Sequence, residues 1–229
     1  MIRVTENLRK IHDLLAEAAV EAGRDPMTVR LLAVSKQQPA STVVEAAVAG
    51  QQDFGENFVH DGLQKIADVA HSGLVWHFIG HLQTNKTRAV AENFDWVHTV
   101  DRLKTAERLN RQRPLELGNL NVCLQVNIDE EPGKSGVSAT ALPDLAKRVA
   151  ELPRLELRGL MCLPAIRSTF DEQRQPFARL RELAESLTSN GITTDTLSMG
   201  MSADYRAAIH EDATIVRIGT AVFGARPQR

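Results

Sequence analysis

The run LLAVSK at residues 31–36 sets five residues suited to a protein interior before a lysine. Leu31 to Ser35 read as a buried strand, and the amine of Lys36 breaks the pattern at its end. On a plain surface, such a lysine lays its stem along apolar neighbours and keeps its ammonium in water. Beside a bound phosphate and partly desolvated, the same amine has a lowered pKa and can form a Schiff base with an aldehyde or ketone. Residues suited to phosphate stand far along the chain, in SMGMSADYRAAI (198–209) and RIGTAVFGAR (217–226). Gly200 permits a sharp turn, and Ser202 stands where an N-cap is expected before a short helix with Ala203, Asp204, Ala207, Ala208 and Ile209. Amides at that helix start would point at an anion. Gly219 lets the backbone approach a ligand, and Thr220 offers an amide and a hydroxyl. Together these residues suit a phosphorylated carbonyl compound, either a sugar phosphate in an aldolase or pyridoxal 5′-phosphate.

Arg217 bears on that choice. It shares strand parity with Gly219, and both are expected to face inward. A buried guanidinium needs a partner, and a structural ion pair would supply one. Set instead against a pyridine nitrogen, it donates a hydrogen bond and keeps that nitrogen unprotonated, which weakens the ring as an electron sink. Asn57 in GEN (55–57) could bond a ring substituent or serve as a helix-start residue. His77 and His81 are four apart, but they fall at a strand end without the glutamate of a zinc helix, so no metal is expected. The loop of His81 is expected to border the ligand. Asp101, before Arg102 and Leu103, reads as a helix cap. Cys123 and Cys162 lie inside apolar runs without metal-type spacing and read as buried small hydrophobes.

The elements that must position these residues alternate along the chain. Val4, Leu8, Ile11, Leu15, Ala18 and Ala22 mark one face of a helix across the first 22 residues, stopped by Gly23 and Pro26. Strand-like runs follow at 31–35, at 53 and 54 ahead of GEN, and at 76–80, 96–100, 121–128, 155–163, 196–200 and 214–219. Amphipathic stretches such as Thr42 to Ala49 and Leu142 to Leu152 separate them. Eight strand–helix units suit a closed (β/α)8 barrel or an open doubly wound sheet. The segment LLAVSKQQPAS lacks a glycine-rich phosphate fingerprint after the first strand, and glycines gather at the last two strands instead. That favours an α/β, single-domain (β/α)8 TIM barrel over residues 1–229, with an extra N-terminal helix. In such barrels phosphate sits at the loops after strands seven and eight, and closure sets strand one, with Lys36, beside strand eight.

The 229 residues are 43% hydrophobic, enough for a full core. A formal net charge of −2 lacks the positive field of a non-specific nucleic-acid binder. No apolar run reaches the ~18 residues of a membrane span, and MIRVTENLRK lacks a secretory core, so no membrane partner and a cytoplasmic location are expected.

AVSK, FGEN, IGHLQTNK, HTVDR, NIDEEPGKSGV, RGLMCLP, LSMGMSADY and VRIGTAVFGAR occur in the order and spacing of a known family. Over nearly the whole chain the sequence resembles the YggS/PROSC family of pyridoxal phosphate homeostasis proteins. The resemblance implies a barrel similar to the N-terminal domain of bacterial alanine racemase, without that enzyme's second domain. It implies pyridoxal 5′-phosphate (PLP) as cofactor, carried as an internal aldimine by Lys36. Ser202, Gly219 and Thr220 would hold the phosphate, Arg217 would face the pyridine nitrogen, and Asn57 and Met199 would line the ring. Members often read IGPLQ or IGSLQ where this chain has His81, which leaves a role for His81 open. The role implied is vitamin B6 and amino-acid homeostasis by a non-enzymatic carrier, a monomer or weak dimer, that passes PLP to apo-enzymes.

A racemase of this type also needs a second base opposite the lysine, and the single tyrosine, Tyr205, lies beside the phosphate loops. A low-activity PLP-dependent amino-acid racemase using His81 or another mouth residue is the alternative, and a Schiff-base aldolase is a third.

Overall fold

The eight expected strands all form and close into one parallel barrel in chain order. They are β1 (Arg30–Val34), β2 (Asp53–Glu56), β3 (Val75–Phe78), β4 (Trp96–Val100), β5 (Leu120–Val126), β6 (Leu155–Cys162), β7 (Thr196–Met201) and β8 (Ile215–Ile218). The structure, a computed structural model, describes residues 4–69 and 73–225. Residues 1–3 of the expected first helix, and 226–229 at the far end, lie outside the described residues. Among these residues no helix is long and apolar enough to cross a membrane.

Each strand is followed by a helix: α2 (Ala40–Val48), α3 (Val59–Asp68), α4 (Thr87–Asn93), α5 (Leu103–Gln112), α6 (Leu142–Ala150), α7 (Phe170–Ser189), α8 (Tyr205–His210) and α9 (Thr220–Phe223). The extra helix α1 (Val4–Glu21) buries Val4, Leu8, Ile11, Leu15 and Ala18, the stripe that its periodicity marks. It packs against α2, α8 and α9. With only four residues, α9 is too short to cover its side of the barrel, and α1 supplies the missing apolar wall.

The barrel has two kinds of interior. Between strands and helices lies a continuous apolar layer that includes Leu31, Phe54, Phe78, Phe94, Val122 and Val216. Inside the strands, the wall carries Trp96, Cys123 and Met161 together with buried polar groups. His77 stacks on Trp96, with ring centroids 5.2 Å apart, and Arg30 and Arg158 lie over the same indole at 5.4 and 5.0 Å. This stack fills the end of the barrel where the strands begin.

At the other end, β1 stops at Val34, so Lys36 lies in the turn after the strand and not on its last rung. Ser35 continues the ladder, donating its amide to Gly55 O at 3.0 Å. Beneath this turn, Lys65 of α3 donates to Ser35 O and to Glu56 Oε1, each at 2.5 Å. Ser35 Oγ donates to the same carboxylate oxygen at 2.6 Å. Burial pushes the Glu56 carboxyl up from its ordinary value, against the lowering effect of Lys65 and Ser35.

The buried pair therefore anchors the turn that presents Lys36. Lys65→Met should cost about 3–5 kcal/mol, the usual penalty for stranding one member of a buried ion pair, while Lys65→Met with Glu56→Leu should recover most of it. Urea unfolding of the three proteins checks this; equal midpoints would show that the pair anchors nothing.

Candidate functional site

A cavity of about 620 Å³ opens where the strands end. Lys36, Asn57, Ser202, Arg217, Gly219 and Thr220 all line it, so six of the seven residues named from sequence share one wall. The seventh, Met199, does not. It is fully buried and adjoins Ser198, whose hydroxyl points into the barrel, so alternation along β7 turns Met199 toward the helix layer. The methionines on the cavity wall are Met161 and Met201.

β1 pairs with β8, with Leu32 opposite Arg217 and Ala33 opposite Ile218. The next residue along β8 is Gly219, where a Cβ would stand 2.9 Å from Val34 O. Only glycine lets the two chains approach this closely beside Lys36. Val222 and Phe223 both donate to Gly219 O, which leaves the amides of Thr220 and Ala221 ahead of the α9 ladder, with Thr220 on the cavity wall. Gly200 turns at φ +89°, with a would-be Cβ 2.6 Å from Ala208 Cβ.

Ser202 is not the helix cap expected of it. The helix α8 begins at Tyr205, two residues later than the sequence reading places it, and Asp204 occupies the N-cap position. Asp204 Oδ1 instead accepts the Met201 amide at 2.7 Å, tying the loop back to β7. Ser202 is left as an exposed loop residue at the cavity edge, free of a capping task. Asp101 is not a cap either: Arg102 precedes α5, and Asp101 faces its guanidinium at 3.5 Å.

Asn57 also escapes the helix-start role, because Phe58 takes the N-cap of α3. Its Oδ1 is buried with no hydrogen-bond partner in the structure. A would-be Cβ on Gly80 would lie 1.8 Å from Asn57 O, so a glycine there is what allows the chain just after β3 to pass so near this residue. An orphaned buried acceptor in a cavity wall is a place for a ligand donor.

Arg217 is buried, with Nη1 donating to Ser198 O at 2.5 Å and Ser198 Oγ at 2.8 Å, and Nη2 to Cys162 O at 2.9 Å. These neutral acceptors, not a carboxylate, hold it. Burial pulls its pKa down from the ordinary guanidinium value, but a guanidinium remains protonated in proteins. Cys123 and Cys162 are both buried, and burial pushes each thiol up to about 12, so neither is a nucleophile near neutral pH.

The sequence reading did not single out His98 and Ser198, and it weighed His77 only as a metal ligand. His77 Nε2 bonds Asp53 Oδ1 at 2.9 Å, and His77 Nδ1 bonds His98 Nε2 at 2.9 Å. His98 Nδ1 bonds Ser198 Oγ at 2.8 Å. The available signal was parity: in WHFIG and WVHTV each histidine falls on the inward side of an otherwise apolar strand. His81 lies at the exposed rim, 3.3 Å from Ser135 Oγ, and Tyr205 packs against the apolar layer.

Fold and site together describe a (β/α)8 barrel of the alanine racemase kind. A solved alanine racemase from Corynebacterium glutamicum matches it with a TM-score of 0.74 at 16% identity, covering 99% of this chain and 62% of that one, a likeness of fold alone. The chain belongs to the family described as alanine racemase, N-terminal domain, whose model matches residues 5–227. A pyridoxal phosphate homeostasis protein of Pseudomonas aeruginosa is 55% identical over 226 residues, 99% of this chain and 97% of that protein. The solved structure of PipY from Synechococcus elongatus PCC7942 with PLP bound has a TM-score of 0.85 at 35% identity, covering 96% of this chain and all of that one (100%). The same protein without PLP gives 0.87 and 36%.

Burial, foremost, holds His77 below the ordinary histidine value of 6.5 and His98 well below it. Both therefore take up protons more readily once unfolded. Stability should therefore be full above pH 6.5 and fall as pH drops below it, by up to about 1.4 kcal/mol per pH unit for each imidazole. Chemical denaturation between pH 7.5 and 5 checks this, and His98→Gln should flatten the slope.

Proposed function

We propose that the protein binds PLP in this cavity, with its aldehyde carbon held on the Lys36 amine, and keeps the cofactor available without turning over a substrate. The observation that carries the reading is the convergence of Lys36, the Arg217 guanidinium and the unpartnered Asn57 Oδ1 on one cavity whose far edge is the Ser202 and Gly219–Thr220 corner. Two kinds of relative support it: proteins named for pyridoxal phosphate homeostasis, and PipY with PLP bound. The donors and acceptors match the cofactor's chemistry. Lys36 would hold the cofactor through its amine, condensing with the aldehyde with loss of water. Ser202, Thr220 and the α9 amides would hold the phosphate, Asn57 Oδ1 would accept from the ring hydroxyl, and Arg217 would donate to the ring nitrogen.

PLP supplies an electron sink when its ring nitrogen is protonated. Arg217 has no proton to yield to that nitrogen, which disfavours carbanion chemistry. Tyr205 is packed away from the cavity wall and is not positioned as a second base. On this reading the whole chain is one cofactor-holding domain, a monomer or weak dimer in the cytoplasm, which hands PLP to apo-enzymes that lack it. The racemase alternative rests on His81 at the rim as the second base.

The purified protein should show a near-visible band that bleaches with borohydride, and mass mapping should place the reduced adduct on Lys36. Lys36→Ala should keep the fold and lose the adduct; a borohydride-stable adduct persisting in that variant would falsify the assignment. A colourless protein that gains no band with added PLP would return the site to a sugar phosphate.

Ser202→Ala with Thr220→Ala should weaken PLP retention, each lost bond to a charged group being worth about 1.5–3 kcal/mol. An unchanged dissociation constant would remove the phosphate corner. Amino-acid α-protons should not exchange with solvent deuterium in a Lys36-dependent way; exchange that Lys36→Ala and His81→Ala both abolish would favour the racemase.

A further inference from the structure

The interior of the barrel contains an unbroken line of hydrogen bonds that runs from the amino-terminal end of β2 to the cavity. Asp53 Oδ1 meets His77 Nε2 at 2.9 Å, His77 Nδ1 meets His98 Nε2 at 2.9 Å, His98 Nδ1 meets Ser198 Oγ at 2.8 Å, and Ser198 Oγ meets Arg217 Nη1 at 2.8 Å. Asp53 is the only member near solvent, and Arg30 lies 3.7 Å from it. His77, His98, Ser198 and Arg217 are all buried.

The two ends of this line impose a direction, and they agree. A carboxylate only accepts, so the His77 proton must sit on Nε2, leaving Nδ1 as an acceptor. His98 must then donate from Nε2 and accept at Nδ1, and the proton it accepts can come only from the Ser198 hydroxyl. From the other end, a guanidinium only donates, so Ser198 Oγ accepts from Arg217 and has its own proton to give, which reaches His98. Every link donates toward Asp53. With both imidazoles neutral, no member can reverse without setting donor against donor or acceptor against acceptor in the buried line, at the cost of an unmade bond.

We infer that Asp53, His77, His98 and Ser198 form a one-way positioning relay that fixes the guanidinium of Arg217 in the orientation from which it donates to the cofactor's ring nitrogen. The inference rests on the proposed PLP site. With Nη1 committed to Ser198 and Nη2 to Cys162 O, the guanidinium plane cannot rotate, and the edge left over faces the cavity. Hydrogen bonds in series polarise one another in a medium of low dielectric, so the negative end at Asp53 makes each acceptor back to Ser198 Oγ stronger and tightens the hold on Arg217. The four residues act through Arg217 and touch no ligand themselves.

The test has two arms. In the first, nitrogen-15 NMR of the protein without PLP reads the imidazole tautomers; the relay requires protons on Nε2 of both His77 and His98. A proton on Nδ1 of either residue overturns it. In the second, Asp53→Ala and the conservative Asp53→Glu are loaded with PLP, and the near-visible band position and dissociation constant are measured.

Asp53→Ala should shift the band and weaken retention roughly tenfold, the size of one hydrogen bond, while Asp53→Glu restores both. If Asp53→Ala does not fold, Ser198→Ala interrupts the same line from within and carries the same expectation. A folded Asp53→Ala protein with a native band and native affinity overturns the inference. Failure of the native protein to bind PLP overturns the proposed function and, with it, the link from Arg217 to a ring nitrogen; the NMR arm still reports the relay itself.

Discussion

Pairing of β1 with β8 is the contact on which the site depends. It joins residues almost the whole chain apart, and its register decides which side chains face inward. With Leu32 opposite Arg217, the guanidinium lies inside the barrel and the following Gly219 meets Val34 at the mouth. A slip of one residue would turn Arg217 out toward the helices and Ile218 inward. The same pairing brings the Lys36 turn against the Gly219–Thr220 corner. A single backbone register thus sets an amine, a guanidinium and a set of free amides around one volume. The Lys65–Glu56 pair beneath Ser35 then keeps the turn from relaxing away.

A guanidinium in that position governs what the rest of the interior must be. Barrels of this class commonly fill their centres with layers of branched aliphatic side chains. Here Asp53, His77, His98, Ser198 and Arg217 occupy places that apolar residues would fill, each within hydrogen-bonding distance of the next. A fully satisfied polar line is tolerable where a partly satisfied one is not. The apolar layer between strands and helices makes it affordable, since Phe54, Phe78, Phe94 and their neighbours are wholly enclosed. Stability is concentrated outside the strands and specificity inside them.

Much of this architecture was legible in the sequence, because the barrel writes itself as eight short apolar runs separated by amphipathic stretches. The α1 stripe and the neighbouring positions of Lys36 and Thr220 followed from periodicity and closure alone. Three local errors share a cause. Ser202 and Asp101 were read as caps from residue type, and Met199 as a ring neighbour from its place in the motif behind the family resemblance, but chain geometry had the final word. Helix α8 starts two residues later than Ser202 implies, Arg102 takes the cap position, and strand alternation turns Met199 away from the cavity. The histidine line was missed for a different reason. Each of its members sits on a different strand, and only three-dimensional closure brings His77, His98 and Ser198 into one file. Inward parity was the sole trace, and an isolated inward histidine does not announce a partner.

The site also shows why a barrel shared with racemases suits storage better than turnover on the proposed reading. Racemisation asks for an electron-deficient ring and for two bases on opposite faces of the substrate carbon. Arg217 withholds the proton that would make the ring deficient, and the relay behind it holds that arginine in place. The lone tyrosine is committed to the apolar layer, and both thiols are silenced by burial. The mouth meanwhile carries exposed polar side chains at His81, Ser202 and Thr220, so water and incoming groups can reach the rim. Such access is a handicap for carbanions, which water quenches, and an advantage for a linkage that must open again when another amine arrives. Firm hold on the ring with open access to the reactive carbon is the combination a carrier requires.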